Sequence, residues 1–183
     1  MLNFVLLHGK GGLKKDGWFT EVKRFAMSKN IPVLSYSFPV VGNISYLDWK
    51  KMFELKILPY LSKDTIMIGH SLGCGFWQKY MTENNIHTPI REALFISPAV
   101  KSRGIPLIED FFKTPFIYEN ITKSANKFTI IAGKKDQYID SSLFEFLAKK
   151  IGAKLFLYED MDHMSQGKYS NHPELISYLK KNY

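Results

Sequence analysis

A serine with glycine two positions to either side, Gly69-His70-Ser71-Leu72-Gly73, follows a short β-branched apolar run, Thr65-Ile66-Met67-Ile68, and precedes a helix-like segment from Phe76 to Glu83. Strand, sharp turn and helix are the setting in which a Gly-x-Ser-x-Gly string makes a nucleophile. The turn strains the serine backbone, lifts its hydroxyl to the tip of a sheet, and leaves no room for side chains at the two glycines. Such a serine needs a base to take its proton and an acid to orient the base. In a sheet of this kind both come from loops after later strands, the acid before the histidine. His163 follows the sixth expected strand in Glu159-Asp160-Met161-Asp162-His163, whereas His172 stands before Pro173 and reads as a helix-start residue. Asp136 follows the fifth expected strand in Gly133-Lys134-Lys135-Asp136. Its rival Asp140 directly precedes Ser141 and a helix, where a capping carboxylate is expected for structural reasons. Asp160 and Asp162 adjoin the histidine in sequence, which makes alignment with its ring awkward. Ser71, His163 and Asp136 are the candidate nucleophile, base and acid of acyl-transfer chemistry.

That chemistry also needs two amide donors aimed at a developing oxyanion. The backbone N–H of Leu72, at the start of the helix after Ser71, is one candidate. The loop after the first strand, His8-Gly9-Lys10-Gly11-Gly12, supplies the other at Lys10, with Gly11 as a substitute. The same glycines match neither G-x-G-x-x-G nor a Walker loop, which makes a flavodoxin-like nucleotide binder the weaker reading. Cys74 lies one helical turn beyond the serine and reads as a small buried packing residue.

Six strands are expected: Asn3 to Leu7, Ile31 to Tyr36, the run into Ser71, Ala93 to Ile96, Phe128 to Gly133, and Lys154 to Tyr158. Helical spacing of apolar residues falls at Gly17 to Ser28, at Tyr46 to Leu61 with a break near Pro59, after Ser71, at Ser141 to Lys150, and at Pro173 to Lys181. Strands alternating with helices imply an α/β fold, a doubly wound six-stranded parallel sheet with helices on both faces and no full cap domain. Residues 101–126 break the rhythm. Phe111, Phe112, Phe116 and Tyr118 there have two readings, a cover over the sheet or a short lid lining an acyl pocket.

The 183 residues suit one domain, 1–183, with that aromatic-rich stretch as an insertion. One cysteine excludes an internal disulfide framework and a zinc site built on paired cysteines. The formal charge of +8 is spread over lysine pairs such as Lys14-Lys15, Lys50-Lys51 and Lys134-Lys135. With no run of four basic residues, solvated faces explain it better than nucleic acid. No apolar stretch approaches the roughly 20 residues that cross a bilayer, and Met1 to Leu7 reads as a first strand and not a secretion signal. The expectation is a cytoplasmic protein acting on a small molecule, without cofactor, metal, nucleic-acid or membrane partner.

His8-Gly9-x-Gly-Gly, Gly17-Trp18, Phe38-Pro39, Trp49, Gly69-His70-Ser71-Leu72-Gly73, Ser97-Pro98-Ala99, Asp136 and Asp162-His163 occur in this order. In combination the chain resembles the small single-domain α/β-hydrolases typified by the retinoblastoma-binding serine hydrolase and its bacterial relatives. The resemblance implies a serine hydrolase acting through Ser71, Asp136 and His163 on an ester, thioester or amide. Many relatives carry glycine where Asp162 stands, and Asp-Asp or Asp-Pro where Asp136-Gln137 stands. A binding protein that kept the fold but not the catalysis is the alternative reading.

Overall fold

The computed structural model describes residues 1–13, 17–42, 44–84, 86, 88–164 and 172–183; Lys14, Lys15 and Asn43 lie outside them. In chain order the elements are β1 (Asn3–Leu7), α1 (Trp18–Ser28), β2 (Val33–Ser35), α2 (Tyr46–Lys56), β3 (Thr65–His70), α3 (Leu72–Glu83), β4 (Glu92–Ile96), α4 (Tyr118–Thr122), β5 (Phe128–Gly133), α5 (Ser141–Ile151), β6 (Lys154–Tyr158) and α6 (Pro173–Asn182). The strands form a six-stranded sheet in the order β2-β1-β3-β4-β5-β6, each parallel to its neighbours. Parallel pairing brings the ends of all strands, from Leu7 to Tyr158, to one edge.

The central strands are apolar on both faces because helices cover both. Val5 and Leu7 pack with Trp49 and Phe53 of α2, Phe76 and Trp77 of α3, and Phe144 and Leu147 of α5. The alternate residues Phe4 and Leu6 pack with Trp18, Phe19 and Val22 of α1 and Leu175 and Leu179 of α6. A strand's two-residue period thus feeds two separate cores. β2 is shorter than expected, since only Val33 to Ser35 pair with β1 at the sheet edge. The expected break near Pro59 appears as a 3₁₀ turn, Leu58–Tyr60, after α2.

Helix starts follow local chemistry. Ser45 accepts from the Asp48 amide, and Asp140 accepts from the Ser142 amide, each satisfying an otherwise orphaned donor. Asp140 is thereby committed to capping α5, as its position predicts.

The stretch 101–126 holds a 3₁₀ segment, Pro106–Phe111, and α4. Phe111 is fully buried against Tyr46, Trp49 and Phe76, while Phe112, Phe116, Tyr118 and Phe146 form a chain of ring contacts outward. Polar ties hold it down: Asp110 accepts from the Tyr46 amide, Lys79 donates to Thr114, and the Ile117 amide donates to Thr82. These aromatics lie on helices: Phe111 packs on α2 and α3, and Tyr118 reaches Phe146 of α5.

Candidate active site

Ser71 stands between β3 and α3 with φ 49° and ψ −112°, a backbone conformation that costs a non-glycine residue about 1–3 kcal/mol. Hydrogen bonds hold the strain in place. Its N–H donates to the Ile96 carbonyl at 3.0 Å, and its own carbonyl accepts from Cys74 at 3.0 Å, Gly75 at 3.2 Å and Ala99 at 3.2 Å. Space explains Gly73: a Cβ there would lie 2.3 Å from the Leu7 carbonyl oxygen and 2.8 Å from that of His8. At Gly69 a Cβ would meet the Cys74 sulfur at 3.1 Å.

His163 reaches Ser71 from the loop after β6. Its Nε2 lies 3.0 Å from the Ser71 Oγ, and its Nδ1 lies 2.7 Å from the Asp136 Oδ2. An ionised carboxylate only accepts, so Nδ1 carries the proton and Nε2 offers its lone pair to the Ser71 hydroxyl. The other Asp136 oxygen accepts from the amides of Tyr138 and Ile139, both at 2.9 Å. With its side chain buried, the carboxylate keeps one orientation.

The loop carrying His163 is pinned from several sides. Lys134 and Lys135 amides donate to the carbonyls of Tyr158 and Met161, and the Trp18 indole donates to the Met164 carbonyl. His70 Nε2 lies 3.0 Å from the His163 carbonyl oxygen and must be its donor. Asp162 accepts from the Met164 amide at 2.8 Å, so the residue standing where many relatives have glycine stabilises the turn. At the end of β5, a Cβ on Gly133 would fall 1.8 Å from the Met161 carbonyl oxygen. Glycine here lets the Asp136 and His163 loops touch.

Two further histidines are held neutral. His8 is fully buried; its Nδ1 lies 2.7 Å from the Gly9 carbonyl oxygen, and its Nε2 accepts from the Phe38 amide at 2.8 Å. Burial lowers its pKa, and a second ring proton would break the Phe38 bond. Burial, reinforced by the nearby His163, takes His70 down to about 3. The Cys74 thiol is pushed up by burial, as suits a packing residue rather than a nucleophile.

A cavity of about 300 Å³ opens beside Ser71 and His163. Leu72, Ala99, Ile105, Ile108 and Ile139 give it apolar walls. Tyr138 sets its ring edge-on to His163 at 5.0 Å. Lys10, Gly11, Lys101 and Arg103 also line it, whereas Phe111, Phe112, Phe116 and Tyr118 do not.

Residues 4–181 match the pattern of the Serine hydrolase family. The chain belongs to the Serine hydrolase family. This member of it is 23% identical over 152 residues to YdeN of Bacillus subtilis, described as a candidate hydrolase, covering 82% of this chain and 80% of that protein. The crystal structure of the ydeN gene product superposes with a TM-score of 0.90 at 21% identity, covering 99% of this chain and 98% of the other. The Arabidopsis methylesterase MES16 gives 0.70 at 17% identity, over 99% of this chain and 98% of that one. Est1E from Butyrivibrio proteoclasticus gives 0.73 at 15% identity, over 98% and 85%. At these identities the likeness is one of fold: an α/β-hydrolase sheet shared with esterases.

The structure brings all five sequence-derived candidates, Ser71, Asp136, His163, Leu72 and Lys10, to one edge of the sheet. Sequence reasoning did not single out His8, His70, Gly133, Tyr138 or the isoleucines. The histidines and Gly133 carried a readable signal, each standing at the end of a strand on the edge where the loops meet. Ile105 and Ile108 carried none, because their segment has no period.

Proposed function

We propose that this member of the family cleaves esters of small acyl substrates, with thioesters or amides as chemical relatives, through Ser71, His163 and Asp136. His163 Nε2 takes the proton from the Ser71 Oγ as that oxygen bonds to the carbonyl carbon. Asp136 stabilises the imidazolium. The bond to the leaving alcohol then breaks, the alcohol departs with the His163 proton, and an acyl-serine remains. Water, deprotonated by the same nitrogen, releases the acid and restores Ser71. The observation that carries this reading is the unbroken run of contacts from Asp136 Oδ2 through the His163 ring to Ser71 Oγ, 2.7 and 3.0 Å.

Leu72 and Lys10 amides would hold the oxyanion. Leu72 opens α3, where the first amides have no helical acceptor. At Lys10 the support comes from the preceding peptide: the Gly9 carbonyl faces His8 and Gly12, from which it accepts at 2.7 and 3.1 Å. In a trans peptide the following N–H points the opposite way, away from those partners. His8 thus acts as a positioning residue for that donor.

Within the family we place the chain with the retinoblastoma-binding serine hydrolase group on the motif combination that runs from His8-Gly9 to Asp162-His163. We further read residues 1–183 as one domain with 101–126 as its insertion, acting in the cytoplasm on small molecules. The cavity of about 300 Å³ suits a short acyl chain. The test is labelling by a fluorophosphonate probe together with turnover of a 4-nitrophenyl ester series. Ser71→Ala should abolish labelling and lower kcat by about 10⁴–10⁶. Folded wild-type protein that neither labels nor turns over any ester would refute the proposal.

A further inference from the structure

The charge at the mouth of the cavity is of one sign. Elsewhere Lys79, Lys113, Lys123, Lys127, Lys134 and Lys135 each pair with a carboxylate, while other basic residues, Lys23, Lys180 and Lys181 among them, make no ion pair among the described residues. Lys10, Lys101 and Arg103 line the cavity, are exposed, and make no ion pair among the described residues. No aspartate or glutamate is among the described lining residues. Asp140 is the carboxylate that feels Lys101 and Arg103, but its Oδ1 is engaged first by the Ser142 amide and hydroxyl, at 2.9 and 2.5 Å. With both Asp140 and Asp136, behind His163, counted against them, the three cations still leave the rim positive. Below it, Leu72, Ile108 and Ile139 are buried.

This layering sorts a substrate by its parts. The walls near Ser71 suit an apolar body, and a cleft of low polarity focuses the field of its rim charges outward. We infer that the site takes esters bearing an anionic group, carboxylate or phosphate, at the end remote from the scissile carbonyl, where Lys101 and Arg103 meet it. The inference rests on the hydrolase reading of Ser71 and narrows its substrate class. A guanidinium fork and an ammonium suit both anions, so the chemistry shared by the two is the recognised feature. Ser102, between the two cations and also lining the cavity, adds a hydroxyl donor.

The experiment compares three esters with one leaving group: mono-4-nitrophenyl adipate, its neutral methyl ester, and 4-nitrophenyl 6-(phosphonooxy)hexanoate. At low salt the anionic esters should exceed the neutral one in kcat/KM by about tenfold, and the advantage should shrink steeply towards 0.5 M salt, a concentration of about the Debye-screening regime that suppresses exposed pairs. Whichever anion gains more names the preferred group. Lys101→Glu with Arg103→Glu should bring the ratio of anionic to neutral rates to about one or below. Lys180→Glu with Lys181→Glu, the same change in net charge on α6, should keep it. Equal rates for charged and neutral esters in wild-type enzyme whose Ser71 labels normally would overturn the inference and leave the hydrolase reading intact. Equal losses in the two double variants would also overturn it, by assigning the preference to net charge. Absence of labelling in folded protein would remove both.

Discussion

At the scale of single residues, the hydrogen bond between Asp136 and His163 does two jobs at once. It selects the ring tautomer and it aims Nε2 at Ser71 Oγ, 3.0 Å away. Asp136→Asn replaces an acceptor-only group by one that can donate, so the ring is free to turn or to present the wrong nitrogen as its proton carrier. Its kcat should fall by about 10⁴ with KM little altered, and the fluorophosphonate reaction should slow in proportion. A variant retaining more than a tenth of wild-type kcat would show that Asp136 does not orient the base. Two amides at 2.9 Å anchor the Asp136 carboxylate within Lys135-Asp136-Gln137, a loop without the Asp-Asp or Asp-Pro sequence of many relatives.

At the scale of elements, the site depends on two close approaches between backbone segments. One is α3 against the end of β1 at Gly73; the other is β5 against the loop after β6 at Gly133. Gly133→Ala would set a methyl group 1.8 Å from the Met161 carbonyl oxygen, two residues before His163. The segments must part, so stability should drop by about 2–4 kcal/mol and His163 should lose its contact with Ser71. Thermal unfolding and probe labelling, read on the same sample, check both effects. The 101–126 stretch makes the opposite kind of contribution. Phe111→Ala should cost about 3–5 kcal/mol, as expected for emptying a fully buried aromatic site, yet leave the acyl-chain-length profile as in wild type because Phe111 does not line the cavity. A changed profile would restore the lid reading.

At the scale of the whole molecule, stability is tied to pH through buried histidines. His8, His70 and His172 all have pKa values lowered chiefly by burial, His70 to about 3. An unfolded histidine takes up its proton near pH 6.5, while the folded ones resist, so the unfolded state binds more protons below that value. Stability is therefore full above about pH 6.5 and declines as pH falls, for His70 down to about 3. Its share is about 1.4 kcal/mol per pH unit, or about 2 kcal/mol between pH 6.5 and 5. Urea midpoints at pH 7 and 5 measure the decline, and His70→Asn should reduce it by the share of His70, leaving that of His8 and His172. A midpoint that does not move would contradict the neutral assignment. At the opposite edge of the sheet, buried Glu92 accepts from Thr129, Tyr178, Tyr183 and Lys127, which ties α6 to β4 and β5 far from Ser71 in the fold.

Much of this was legible in the chain itself. Period and punctuation marked all six strands, the two glycines around Ser71 marked the turn, and the order of loops singled out Asp136 and His163 from their rivals, because parallel strands deliver their following loops to a common edge. What the sequence could not disclose is which atoms that edge brings within contact. Gly133 reads as any glycine at a strand end until the Met161 carbonyl is found against it, and Asp162 reads as a departure until the Met164 amide is found donating to it. Phe111 and Ile105 stand six residues apart in a stretch with no period, yet one enters the aromatic core and the other the cavity wall. Local propensity is decided over a few residues, whereas cavity shape and the company of Lys101 and Arg103 arise from segments far apart in the chain, so only the packed tertiary structure determined them.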